Sequence, residues 1–154
     1  PVVSAELTYG LDRIGMMLQN KERVQDLVWG GQVTWGDLWL QNEKEYSRYN
    51  FEEADVAAHF EMFKIWEREA NRLLDAGLVN PGYDCVIKCS HLFNLLDARG
   101  AISVSERVGT IGRVRKLARK AALAYVRQRE AFGYPLLTDP AERAKWIKPV
   151  EVGA

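Results

Sequence analysis

Ser103-Val-Ser-Glu-Arg-Val-Gly-Thr-Ile-Gly-Arg-Val-Arg-Lys-Leu-Ala-Arg-Lys-Ala-Ala-Leu-Ala-Tyr125 decides the fold. Ser103 and Glu106 form a capping-box pattern, in which a serine hydroxyl and a glutamate three residues on satisfy each other's free amides. Val104, Val108, Ile111, Val114, Ala118, Ala121 and Tyr125 then recur at helical spacing for about six turns, and Gly133-Tyr-Pro135 stops the run. This is the longest helix expected, with that stripe as its buried face.

The preceding segments read the same way. Leu11, Ile14, Met17 and Leu18 make one apolar face of a short helix. Gly30-Gly31 marks a turn, and Gly36 to Tyr46 forms another helix. Asn50 is placed as the cap of a long helix with Glu52, Glu53 and Asp55 in its first turn, where carboxylates suit the dipole. Its buried face is Val56, Phe60, Phe63, Trp66, Ala70 and Leu73, and Gly77 ends it. Pro81 opens a further helix that runs to Gly100, and Asp139-Pro140 opens a last short one carrying Trp146. Trp29, Trp35, Trp39 and Trp66 are assigned mostly to the core, some of them to interfaces.

Only Val2 to Thr8 reads as a strand. A lone strand cannot satisfy its own backbone, so this segment either pairs with a sheet outside the chain or lacks order. With an opening residue that is Pro1 and not Met, it suggests a piece of a longer protein. The expected fold is mainly α: a helical bundle with a short N-terminal β remnant.

Composition narrows the class without naming a function. The 154 residues hold 21 Lys plus Arg and 21 Asp plus Glu, so net charge points to no nucleic-acid partner. No apolar run is long enough to span a membrane, and no charged segment followed by an apolar one opens the chain. Cys85 and Cys89 suit buried thiols in a reducing compartment better than a disulfide framework. His91 sits about 200° round the helix from Cys89, so these three cannot meet at one metal. His59 is placed on a helix surface.

Charge is uneven locally. The long helix carries Arg107, Arg113, Arg115, Lys116, Arg119, Lys120, Arg127 and Arg129 against Glu106 and Glu130. Such a stripe meets RNA phosphates, or is a solvated face, or is one paired with acids of the helix around Glu61, Glu67 and Glu69.

The most informative stretch is Glu6-Leu-Thr-Tyr-Gly10-Leu-Asp-Arg13. A carboxylate on an extended segment leads into a glycine turn, and an arginine follows in the first turn of a helix. Glycine lets a backbone approach a ligand closely, and a guanidinium pairs with phosphate or stacks on a base. Alone, the pattern equally fits a plain turn followed by a solvated arginine. It resembles, however, the third signature of class II aminoacyl-tRNA synthetases. Asp26-Leu-Val-Trp29, Thr34-Trp-Gly-Asp37, Gln41-Asn-Glu43, Tyr49-Asn-Phe-Glu52 with Ala54-Asp55, Ser90 to Arg99, Ala101 to Arg107, and Arg129-Glu-Ala131 with Gly133-Tyr-Pro135 extend the likeness. Over about residues 4 to 137 the chain is similar to the C-terminal half of the α subunit of the bacterial, tetrameric type of glycyl-tRNA synthetase.

That resemblance implies ATP-dependent ligation of glycine to tRNA(Gly). It makes Arg13 the ATP-binding arginine and Glu6 the carboxylate near ATP and its magnesium, with Thr8 and Gly10 at the glycine end of the pocket. Asp12 stands where the family has glutamate. The first two class II signatures would lie upstream of Pro1, leaving this chain inactive alone. Implied domains are a catalytic remnant at 1–20, a helical domain at 21–137 and a short helix and tail at 138–154. Implied partners are the synthetase β subunit, a second α subunit and tRNA(Gly), in the cytoplasm and without a membrane. The alternative is a non-catalytic helical module that docks the β subunit or tRNA.

Overall fold

The structure, a computed structural model, describes residues 5–147. The fold is mainly α with a small antiparallel hairpin near the N-terminus. The chain divides into two compact units between Glu53 and Ala54.

In the first unit, helix α1 (Leu11–Leu18) is followed by a short 3-10 turn, the hairpin strands β1 (Val28–Gly30) and β2 (Val33–Thr34), and helix α2 (Trp35–Arg48). The hairpin pairs Val28 with Thr34 and Gly30 with Val33, around the Gly30-Gly31 turn. Gln19 extends it with a side chain: its amide donates to the Val28 carbonyl at 3.0 Å and accepts from the Val28 amide at 2.7 Å. Thr34 then caps α2 in a capping box with Asp37, accepting from the Asp37 amide at 3.2 Å while its own amide donates to the Asp37 carboxylate at 2.8 Å. The Thr34 hydroxyl also donates to that carboxylate at 2.7 Å, and its bond together with that of the Thr34 amide holds the Asp37 carboxyl below its ordinary pKa.

The expected strand is displaced. Ala5 to Gly10 has no regular secondary structure, and Val2 to Ser4 lies outside the described residues. Strand conformation needs a ladder partner, and only the Gly30-Gly31 turn brings two β-prone segments within reach of each other. The apolar face of α1 is bare as well: Leu11 and Leu18 are 79% and 77% exposed. Among the described residues of this unit only Leu27 is buried.

The second unit holds α3 (Val56–Asp75), α4 (Val79–Ala98), α5 (Val104–Ala131) and α6 (Pro140–Trp146). Asp55, not Asn50, caps α3, accepting from the Ala58 amide at 2.9 Å. Asn50 falls instead in a π turn, Tyr49–Glu53, that continues α2. Arg99 fixes the start of this unit by donating to the carbonyl of Ala54, which is fully buried. Gly77 ends α3 at φ 76°, a conformation that costs other residues a Cβ clash. The short link it makes folds α4 back against α3.

The core is one cluster: Phe63, Ala70, Leu73 and Leu74 of α3, Cys85, Val86, Cys89 and Leu92 of α4, and Leu117 and Ala121 of α5. Three expectations change here. His59 is buried, 5% exposed, with its ring Nδ1–H donating to the Asp55 carbonyl. Of the four tryptophans, Trp66 packs half-buried against the core, Trp35 is half-buried, and Trp29 and Trp39 are exposed. The seam of α5 is centred on Leu117 and Ala121, so Val104 and Val108 stand 87% and 73% exposed. The sequence stripe and the true seam are offset round the helix, and packing against α3 and α4 decides between them.

Gly82 is the tightest point. A Cβ there would lie 2.7 Å from a Leu74 methyl and 2.8 Å from its Cγ, inside the core. Gly82→Ala should therefore destabilise the bundle by about 1–3 kcal/mol through overpacking. Gly112→Ala, where a Cβ meets nothing within 4 Å, should instead stabilise it by up to about 1 kcal/mol through helix propensity. Urea unfolding followed by helical circular dichroism checks both. Equal midpoints for the two variants would contradict this account of the α3–α4 seam.

Candidate nucleotide site and the charged face of α5

Gly10 is the N-cap of α1, with φ −76° and ψ 101°, and its carbonyl accepts from the Ile14 amide at 3.2 Å. Any residue can adopt that backbone, and a Cβ there would make only ordinary contacts with the Arg13 side chain from 3.8 Å. Neither conformation nor packing requires glycine, so the bare Cα leaves room for something to approach from outside. Arg13 follows in the first turn, exposed, with no hydrogen bond or ion pair among the described residues. Asp12 beside it sits where a carboxylate favours the helix dipole.

Glu6 and Thr8 are brought together: the Thr8 hydroxyl donates to the Glu6 carboxylate. That bond takes one oxygen and leaves the other open. Glu6 and Arg13 form no ion pair with each other. Among the described residues no group of three or more His, Cys, Asp or Glu is arranged to hold a metal ion. In accord with the sequence reading, Cys85 and Cys89 are free buried thiols and His91 is exposed. Burial pushes the Cys89 thiol up to about 11, which makes it a core residue and not a nucleophile.

A cavity of about 440 Å³ was missed from sequence. Asp12, Trp29, Trp35, Trp39, Asn42, Glu43 and Tyr46 line it. Trp35, Trp39, Asn42 and Tyr46 follow one another at steps of four, three and four, so they share one face of α2. That spacing was the available signal.

The basic residues of α5 fall into two groups, apart from Arg129, whose guanidinium lies 6.0 Å from the Tyr125 ring centre. Arg107 pairs with Asp97 at 3.1 Å, and Lys120 reaches Asp75 at 2.7 Å and the Asn71 side chain at 3.0 Å. Arg113 grips Glu67 with two bonds, Nε to Oε1 at 2.9 Å and Nη2 to Oε2, while its guanidinium lies 4.6 Å from the Phe63 ring centre. Arg115, Lys116, Arg119 and Arg127 are exposed and make no ion pair among the described residues. The reading of the stripe as paired with acids of the bundle thus holds for Arg107, Arg113 and Lys120, and the other four are solvated.

Beside this geometry stands a direct comparison. A family model described as glycyl-tRNA synthetase alpha subunit matches residues 1–130. The chain belongs to the glycyl-tRNA synthetase alpha-subunit family, a subunit of a ligase. No helix among the described residues is long and apolar enough to cross a membrane.

The Arg113 bonds hold the Glu67 carboxyl below its ordinary pKa, against a smaller opposing effect of burial. A lowered folded pKa contributes stability that is present above the unfolded carboxylate pKa and lost as pH falls through the folded one. Glu67→Gln should cost about 1 kcal/mol at neutral pH, the pair being only partly shielded from water. The deficit should close as pH drops below the ordinary carboxylate range. Thermal melts across that range check it, and a deficit independent of pH would show that packing and not charge carries the pair.

Proposed function

We propose that this chain supplies part of the ATP-binding site of a class II glycyl-tRNA synthetase, which activates glycine as glycyl-adenylate and transfers it to tRNA(Gly) in the cytoplasm. The family match over residues 1–130 carries the reading. The local geometry supports it in three ways: a guanidinium with no protein partner at Arg13, a glycine at Gly10 that the fold itself does not require, and a carboxylate at Glu6 with one oxygen open.

Arg13 then neutralises phosphate charge on ATP, and its attachment to the first turn of a helix keeps it oriented. Glu6 would hold the magnesium that accompanies ATP. A hard cation bound through one carboxylate, with water and phosphate oxygens completing its shell, fits a single open carboxylate better than a protein cage would. The metal would supply charge neutralisation at the phosphates. Thr8 both steadies Glu6 and, with Gly10, borders the glycine end.

The first unit is in this reading a piece of a larger catalytic domain. Among its described residues it buries one, Leu27, and presents Leu11, Met17, Leu18, Trp29 and Trp39 to solvent. The first two class II signatures would belong to the part that covers those faces, so the isolated chain lacks the groups that grip the α-phosphate. A second reading, a helical platform for the β subunit, is favoured by a different observation. Tyr83 and Tyr125 stay about half exposed along the groove between α4 and α5, and aromatic anchors of that kind mark protein interfaces.

Two measurements test the catalytic reading. The isolated chain should show no glycine-dependent ATP–pyrophosphate exchange above background, and clear exchange would overturn the proposal that its site is incomplete. In the complete α and β enzyme, Arg13→Ala should lower adenylation about ten- to a hundredfold, as expected for a charge-assisted hydrogen bond of roughly 1.5–3 kcal/mol. Unchanged adenylation would reduce Arg13 to a surface residue.

A further inference from the structure

Three elements of the first unit converge on the aromatic cavity. Asp12 comes from α1, Trp29 from β1, and Trp35, Trp39, Glu43 and Tyr46 from α2, around about 440 Å³. No Lys, Arg or His lines it. Asp12 and Glu43 make no hydrogen bond or ion pair among the described residues. The two basic residues of α2, Lys44 and Arg48, line a separate cleft that Glu43 also borders, and Arg48 is held by Glu53 at 2.6 Å.

Aromatic walls and uncompensated carboxylates favour the same charge. Ring faces carry the negative end of a quadrupole and attract cations, as a carboxylate does. An anion is excluded on both counts. A neutral side chain closing the mouth would shield two carboxylates from water with no counter-charge, which is costly. Of the two cationic side chains, a guanidinium is the more weakly hydrated, stacks on aromatic planes and offers a fork of donors to paired carboxylates. Exposure decides how it arrives. Trp29 and Tyr46 are 65% and 64% exposed, so these walls would leave a free small ligand largely in water, whereas ligand pockets bury about 70–90% of their occupant. The same unit leaves Leu11, Met17 and Leu18 uncovered. One surface laid over the unit would cover these residues and close the cavity together, and tryptophan, tyrosine and arginine are the residues that anchor such contacts.

We propose that this cavity seats an arginine side chain carried by the protein surface that covers the first unit. The cationic class of the occupant rests on the lining residues. Its being a side chain rests on the reading above, in which this unit is a piece of a larger domain.

The test uses N-acetyl-arginine amide as probe and N-acetyl-citrulline amide as its uncharged isostere, at matched ionic strength, with binding read by tryptophan fluorescence. The full chain by itself should bind the arginine probe saturably, and the citrulline probe about tenfold more weakly. Glu43→Gln should weaken arginine binding about two- to fivefold, and Trp39→Leu, which keeps an apolar wall but removes the ring, should weaken it as well. Glu45→Gln, outside the cavity and engaged with Gln41 at 2.8 Å, should change nothing. In the complete α and β enzyme the seat is filled, so the probe should not bind. There, Trp39→Ala should expose to phenylglyoxal an arginine that is protected in the wild type, as mapped by peptide mass spectrometry.

Equal affinity for the two probes, or no saturable binding by the chain, would overturn the cationic assignment. Undiminished binding by the complete enzyme would overturn the side-chain source in favour of a free small cation. The same set of modified arginines in the wild type and Trp39→Ala enzymes would also overturn it. Unchanged adenylation in the Arg13→Ala enzyme bears on the nucleotide site and alters none of these outcomes.

Discussion

The second unit depends on how closely α4 can approach α3, and Gly82 sets that distance. With no Cβ at that position, the backbone of α4 sits directly against Leu74. Farther along, the helices meet through Ala70 and Cys89, both fully buried and both small. Small residues on facing positions let the larger ones, Phe63, Leu73 and Leu92, interdigitate and do not hold the helices apart. The burial that raises the Cys89 thiol pKa is a by-product of the same proximity. The cysteines here act as small apolar side chains, and their four-residue spacing reflects the seam and not a ligand set.

Once α3 and α4 are fixed, the charges of α5 sort themselves. Helix α5 presents Leu117 and Ala121 to the pair, and this rotation carries Arg113 and Lys120 over to the acids of α3. Arg113 is held on two sides, by the Glu67 carboxylate and the face of Phe63, so it closes the edge of the core as well as neutralising it. The rotation that satisfies one side of the stripe leaves Arg115, Arg119 and Arg127 exposed and without an ion pair among the described residues. A solvated row of arginines on a helix therefore follows from packing, and it would persist whatever function it serves.

Much of this was legible in the sequence because local signals agree with tertiary ones. The Ser103–Glu106 box, the Gly77 stop and the Asp139-Pro140 start are all chemistry confined to a few residues, and each is found in place. What failed required knowledge of neighbours. Val104 and Val108 fit the helical period as well as Leu117 and Ala121 do, and periodicity cannot say which stripe another helix will cover. Asn50 and Asp55 are both good caps, and the π turn between them was not signalled by residue type. At the candidate site, sequence located Gly10 and Arg13 correctly at the head of α1. The aromatic cavity beside Asp12 stayed hidden because tryptophans suggest core by default.

The contrast between the two units is the last step. The second unit has a contiguous core and needs nothing beyond its own helices to explain its order. In the first, the hairpin, the Gln19 clamp and the Thr34 box satisfy backbone groups, yet hydrogen bonds exchanged with water contribute only about 0.5–1.5 kcal/mol each. Ordering each residue costs about 1–2 kcal/mol of backbone entropy, which only apolar burial can offset at scale. One buried leucine does not offset it. Yet the apolar material is present, in Leu11, Met17, Leu18, Trp29 and Trp39, and it faces outward. The physical requirement is a second surface to cover these residues, which is what membership of a larger catalytic domain would provide. Arg13 projects from the same short helix, so the surface that completes the core would also fix the position of the guanidinium, and nucleotide binding would be coupled to that packing.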